Sequence, residues 1–134
     1  MMSDKKSPAA ATVFVLFSLL FYSCSAQNEK YATLPPAEFS EKIKTEPGIV
    51  LDVRTPKEFI NGHIANAINI NLFDDDFSQQ VLKLDSAKAI YVYCASGGRS
   101  SEAAELLSKS GYKKVTNLKR GITAWKESNM PVEK

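Results

Sequence analysis

The apolar positions of the chain fall into short runs separated by amphipathic segments, a pattern typical of strands that alternate with helices. The strongest run, AIYVYC (89–94), is rich in β-branched and aromatic residues and predicts a strand. Three shorter runs predict further strands: IVLDV (49–53), AINI (67–70) and KVTNL (114–118). Because the strands are apolar on both faces, we expect an α/β domain with a mainly parallel sheet and helices on either side.

The predicted helices lie between these runs. The clearest is SSEAAELLSKSG (100–111), in which Ala103, Leu106 and Leu107 share one face and Gly111 is a natural C-cap. Shorter helices are predicted within 33–43, 54–64, 74–84 and 122–128. No internal repeat or low-complexity tract interrupts this alternation.

The N-terminal residues have the pattern of an export signal. Lys5 and Lys6 precede an uncharged apolar run, residues 9–22, which is too short for a membrane span but suits the apolar region of a signal peptide. We therefore expect a signal peptide over 1–23, a tether over 24–32 and one folded domain over 33–134.

Cys24 has two interpretations. Ser23-Cys24 resembles the end of a bacterial lipoprotein signal, and the favoured hypothesis is that Cys24 is lipid-modified and anchors an exported, periplasmic protein to a membrane. The alternative is cleavage after Ala26, with Cys24 and Ala26 as the small residues of the cleavage site. Under either hypothesis the mature domain keeps one unpaired cysteine, Cys94, and a lone thiol in an oxidising compartment suggests a reactive one.

Charge and composition exclude two classes of function. The formal net charge is +2 and no basic stripe emerges, so a nucleic-acid partner is not expected. One histidine and one cysteine in the mature domain do not compose a usual zinc site, and neither a metal nor another cofactor is expected.

The segment after the strongest strand has the features of a nucleophilic site. Cys94 ends the strand, and Ala95-Ser96-Gly97-Gly98 is a small-residue turn whose backbone N–H groups can point at one spot. The helix N-terminus that follows adds partial positive charge, so the turn favours a thiolate at Cys94 without help from histidine or metal. Arg99 gains nothing from that positive helix end, and its position indicates an anion nearby.

This segment resembles the active-site loop of the rhodanese-like sulfurtransferases. Two other blocks are similar to that family's motifs, LDVRTPKEFINGHIANAINI (51–70) and LKRGITAWKESNMPV (118–132). The resemblance implies a three-layer rhodanese-like domain that moves a sulfane sulfur from a small donor such as thiosulfate to cyanide, a thiol or a protein acceptor. It implies Cys94 as the nucleophile that carries the sulfur as a persulfide, bracing roles for Asp52, Arg54 and His63, and an amide cradle made by Ala95, Ser96, Gly97, Gly98 and Arg99.

Two positions depart from the family pattern, and two other functions stay open. Arg120-Gly121 stands where many members have Gly-Gly, and Asn66 stands where a glycine is common. One alternative function is a sulfur-relay or partner-binding module with little activity on free thiosulfate. The other is a phosphatase or arsenate reductase, but those loops hold five residues between cysteine and arginine, whereas Cys94 and Arg99 have four between them.

Overall fold

The computed structural model of the protein describes residues 30–134. The predicted signal peptide, the lipidation of Cys24, the alternative cleavage after Ala26 and the predicted tether up to residue 29 lie outside the described residues. The strands and helices follow one another in the order β1 Ala32–Leu34, α1 Pro36–Thr45, β2 Ile49–Asp52, α2 Pro56–Ile60, β3 Ile68–Asn69, α3 Phe77–Val81, β4 Ile90–Tyr93, α4 Gly98–Lys109, β5 Val115–Leu118 and α5 Gly121–Glu127.

The five strands form one parallel sheet in the order β1-β5-β4-β2-β3. The central strand is β4, which pairs with β2 on one side and with β5 on the other. The predicted α/β fold with a parallel sheet and flanking helices is confirmed. Since all strands run the same way, their carboxyl ends meet at one edge, where α/β proteins place their ligands.

Alternation along the strands divides the core between the two faces of the sheet. One face carries Ile90, Val92 and Cys94 of the β4 segment and is covered by α3 and α4. The other face carries Tyr91 and Tyr93 and is covered by α1 and α5. Side chains of a strand point to opposite faces in turn, so the uninterrupted apolar run 89–94 supplies both layers at once. The same alternation directs the Cys94 side chain toward α4.

The structure differs from the sequence prediction at three elements. The edge strand β1 was not predicted: it has only three residues, which are mostly exposed, and the first of them, Ala32, was assigned to the tether. Helix α3 is limited to five residues, and the acidic residues before it form a turn in which the Phe77 N–H donates to the carbonyl of Asp74. Helix α4 begins at Gly98, two residues before the predicted start. Across residues 30–134, no helix combines the length and apolar character needed to cross a membrane.

Candidate active site

Cys94 lies directly after β4 at the carboxyl edge of the sheet, and its side chain is 1% exposed. Its Sγ atom accepts two hydrogen bonds, from the backbone N–H of Gly97 at 3.0 Å and from the hydroxyl of Ser100 at 3.3 Å. Both donors come from the turn and the first residues of α4. The turn therefore curls around the sulfur atom.

These donors decide the ionisation of Cys94. Burial alone would raise the pKa of the thiol, because a charged sulfur loses its water. The Ser100 hydroxyl and the backbone amides of Ser100, Gly97 and Ser96 together outweigh burial, and the pKa of Cys94 lies below its ordinary value. The site thus favours a thiolate, or another negatively charged sulfur at that position, in a place that excludes water.

The N-terminus of α5 fixes the direction of the loop peptides. The carbonyl of Cys94 accepts from the Ile122 N–H at 2.9 Å, and the carbonyl of Ala95 accepts from the Thr123 N–H at 3.1 Å and its hydroxyl at 2.9 Å. These carbonyls therefore face α5 and not the sulfur. Gly121 makes this contact possible, because a Cβ atom there would lie 2.4 Å from the Cys94 carbonyl oxygen.

A second set of contacts holds the middle of the loop. Gly97 has a φ of +109°, which costs glycine little, and its carbonyl accepts from the N–H of Ser101 at 3.1 Å and from its hydroxyl at 2.7 Å. The side-chain amide of the buried Asn117 donates to that same hydroxyl at 3.2 Å. Since the Ser101 oxygen accepts from Asn117, its own hydrogen is directed to Gly97.

The five predicted cradle residues have different roles. The backbone amides of Ser96 and Gly97 lower the pKa of Cys94. Ala95 contributes its carbonyl, which accepts a hydrogen bond from Thr123 of α5. Gly98 is the first residue of α4. The cradle also extends one residue beyond the prediction, to Ser100, which contributes a hydroxyl and an amide.

Arg99 binds a carboxylate of the protein itself. Its guanidinium donates to both oxygens of Glu58, each at 2.9 Å, and lies 5.5 Å from the centre of the Phe73 ring. The hydrogen bond from Arg99 is the main reason that the pKa of Glu58 falls to about 2, so this carboxylate is charged at physiological pH. The anion that the position of Arg99 indicated is therefore Glu58 of α2, which the sequence reasoning did not find.

Asp52, Arg54 and His63 form the support beside the loop. The Arg54 guanidinium donates to Asp52 Oδ1 at 3.0 Å, to Asp52 Oδ2 at 2.7 Å and to the carbonyl of Gly62 at 2.7 Å, and both charged side chains are buried. His63 stacks on Phe59, and its Nδ1 lies 3.0 Å from the Phe59 carbonyl. Within residues 30–134, the hydrogen bonds of these three side chains brace the segment after β2 and do not reach Cys94.

The two departures from the family pattern occupy left-handed backbone. Asn66 has a φ of +62° and Arg120 a φ of +58°, values that favour glycine. Asparagine tolerates this conformation better than most residues. Arg120 takes it directly before Gly121, and its guanidinium pairs on the surface with Glu127.

The described residues offer no cluster of three or more histidine, cysteine or carboxylate side chains that could hold a metal ion. The chemistry that the loop itself supports is attack by a sulfur anion, with the resulting negative charge held by fixed amides and a hydroxyl.

Comparison with known proteins gives a consistent result. The sequence profile of the family described as Rhodanese-like domain matches residues 35–128. The chain is 33% identical over 88 residues to a sulfurtransferase of Allochromatium vinosum, covering 66% of this chain and 80% of the relative. It is 32% identical over 117 residues to the uncharacterized protein YqhL of Bacillus subtilis, covering 87% and 86%. Among solved structures, a rhodanese-related protein from Thermoplasma volcanium superposes with a TM-score of 0.69 at 38% identity, covering 77% of this chain and 98% of that one.

Proposed function

The chain belongs to the rhodanese-like family, and we propose that it is a sulfurtransferase that moves a sulfane sulfur from a donor to a thiophilic acceptor through a persulfide on Cys94. In the first step the Cys94 thiolate attacks the outer sulfur of the donor. A new S–S bond forms at Cys94, the S–S bond of the donor breaks, and the electron pair leaves with the rest of the donor, which is sulfite when thiosulfate is used. In the second step the acceptor attacks the outer sulfur of the persulfide, and the thiolate returns.

One observation carries this proposal: the Cys94 sulfur accepts hydrogen bonds from the Gly97 amide and the Ser100 hydroxyl. These donors stabilise the negative Sγ with which the cycle starts and ends. We infer that amides of the same turn also hold the outer sulfur of the persulfide Cys94–S–S⁻, which carries the charge between the two steps. No proton has to move in either step when thiosulfate is the donor and cyanide the acceptor. A histidine near the thiol is therefore not required, in agreement with the position of His63.

The proposal is tested by sulfur transfer from thiosulfate to cyanide, with thiocyanate as the product, and by mass spectrometry of the protein after exposure to thiosulfate. We expect an adduct of about 32 Da, one sulfur atom, on Cys94. The Cys94→Ser variant should lose both the adduct and the turnover. Equal turnover in the variant would overturn the mechanism, whereas an adduct without thiocyanate formation would support the relay role and its protein acceptor.

We also propose that the protein is exported and, through a lipid on Cys24, held at the periplasmic face of a membrane. The support is the apolar run 9–22 followed by Ser23-Cys24. Globomycin, which blocks lipoprotein signal cleavage, should leave an unprocessed precursor. Normal processing in its presence would favour cleavage after Ala26.

A further inference from the structure

The positive charge at the end of the catalytic loop is neutralised by a carboxylate of the protein itself. Arg99 is the one cationic side chain between Cys94 and the body of α4, and both of its terminal nitrogens contact the Glu58 carboxylate. Its side chain is 22% exposed and that of Glu58 36% exposed, so the pair stands beside the loop and not deep in the core. A substrate approaching the loop therefore meets a neutral pair in place of a free cation.

The neighbouring charges give the same balance. Arg54 is buried and donates to both oxygens of Asp52 through Nε and Nη2. Arg120, whose backbone lies beside Gly97, pairs on the surface with Glu127. Ser96, the exposed polar residue of the turn, carries no charge. The hydrogen bond to Glu58 is the main reason that the pKa of Arg99 lies above its ordinary value, and the charges of Glu58, Cys94 and Asp52 act in the same direction.

An exposed aromatic ring lies beside the pair. The ring of Phe73 lies under the Arg99 guanidinium at 5.5 Å and is 67% exposed. An inorganic dianion gains nothing from such a ring, and its approach to a thiolate is repulsive unless a cation offsets the charge. An organic group attached to a sulfane sulfur can lie on the ring and bring one negative charge or none.

We propose, resting on the sulfurtransferase function above, that the pairing of Glu58 with Arg99 selects an organic persulfide of a thiol, neutral or singly charged, as the sulfur donor in preference to an inorganic dianion such as thiosulfate. The reaction is balanced as a transfer: the Cys94 thiolate attacks the outer sulfur of R–S–SH and forms Cys94–S–SH. The donor S–S bond breaks, and the thiolate R–S⁻ leaves with the electron pair. No oxidant or reductant is consumed.

The test is the Glu58→Gln variant of the full chain. Gln removes the carboxylate charge but keeps an acceptor for the Thr55 groups that Glu58 caps at the start of α2, because Glu and Gln both serve at this position of a capping box. The probes are thiosulfate and the persulfides of two capped cysteines, one with a free carboxylate and one with a neutral amide. Cyanide is the acceptor, and kcat/KM is measured for each donor.

The donors differ in intrinsic reactivity. The decisive quantity is therefore the ratio of kcat/KM for thiosulfate to kcat/KM for each persulfide, compared between the wild type and Glu58→Gln. With Arg99 released, kcat/KM for thiosulfate should rise about tenfold, at the low end of the range for electrostatic focusing, while that for the neutral persulfide stays within about twofold. The gain should shrink as salt is added, because exposed charges are screened. If Glu58 had only a structural role, the substitution would lower kcat/KM for all three donors together and would not create this salt dependence.

Glu105→Gln is the matched control, since it removes a carboxylate from a surface pair with Lys109. It should leave the ratio between donors unchanged. A ratio in Glu58→Gln equal to that of the wild type, or a wild-type preference for thiosulfate over both persulfides, would overturn the inference. Either result would leave the sulfurtransferase proposal intact, whereas the absence of a Cys94 adduct with all three donors would remove both.

Discussion

Removal of the Ser100 hydroxyl should raise the pKa of Cys94 by about one unit. The hydroxyl lies 3.3 Å from Sγ and also 3.2 Å from the Gly97 carbonyl oxygen. Its single hydrogen can serve one acceptor at a time, and a thiolate is the stronger one because it is charged. Ser100→Ala removes this donor and leaves the Gly97 amide in place.

The magnitude follows from the type of bond. A hydrogen bond to a charged group contributes about 1.5–3 kcal/mol net, and a long bond to sulfur belongs at the lower end of that range. About 1.4 kcal/mol corresponds to one pKa unit. The assay is the rate of alkylation by iodoacetamide as a function of pH, which follows the thiolate fraction. Ser108→Ala is the control. It removes a hydroxyl of the same helix, one that donates to the Lys30 carbonyl and not to Cys94, and it should leave the titration of Cys94 unchanged.

The same shift has a consequence for stability. The pKa of Cys94 is lower in the folded protein than in the unfolded chain, so folding is favoured by thiolate formation. This contribution is fully present above the unfolded pKa, about 8.5, and is lost as the pH falls through the lower folded value. From a pH below the folded pKa to a pH above the unfolded value, the wild type should therefore gain about 1.4 kcal/mol more unfolding free energy than Ser100→Ala. A titration midpoint within about 0.3 units of the wild type would show that the backbone amides alone set the pKa of Cys94.

Two further predictions concern the backbone around the loop. Gly121→Ala places a Cβ atom 2.4 Å from the Cys94 carbonyl oxygen at a φ of +58°, and should cost about 3 kcal/mol of unfolding free energy in urea as well as most of the activity. Gly111→Ala, at a φ of +96° with no atom within 4 Å, carries backbone strain alone and should cost about 1–2 kcal/mol; equal losses in the two variants would contradict the packing argument. Arg120→Gly relieves a left-handed arginine and should stabilise the protein by about 1 kcal/mol, since its exposed pair with Glu127 contributes little. Asn66→Gly should gain less, and a loss of stability in Arg120→Gly would refute the strain at this position.

The sheet could be predicted because each central strand is recognised from a few consecutive residues. A strand buried on both faces must be apolar at every position, and the run 89–94 satisfies this within six residues. The turn after it is also local, since Cys94 and the amide donors lie within a few positions of one another. The edge strand β1 was not predicted, because its partner, β5, lies more than eighty residues away in the sequence and its own three residues are mostly exposed.

The site is less predictable than the sheet because its electrostatics join distant segments. Ser100 was predicted only as the first residue of the helix, and nothing in the sequence shows that its hydroxyl faces the turn and reaches the sulfur. The Glu58–Arg99 pair spans 41 positions and depends on how α2 lies against α4.

An arginine at a helix N-terminus does indicate an anion, because the helix end repels its charge. That rule does not say whether the anion is a substrate or a side chain. Here a carboxylate of α2 takes the position, so the same residue that suggests an oxyanion site from the sequence is neutralised in the fold. The amides of the loop decide that a negative sulfur is stable at Cys94, and Glu58 decides how much charge the donor can bring to it.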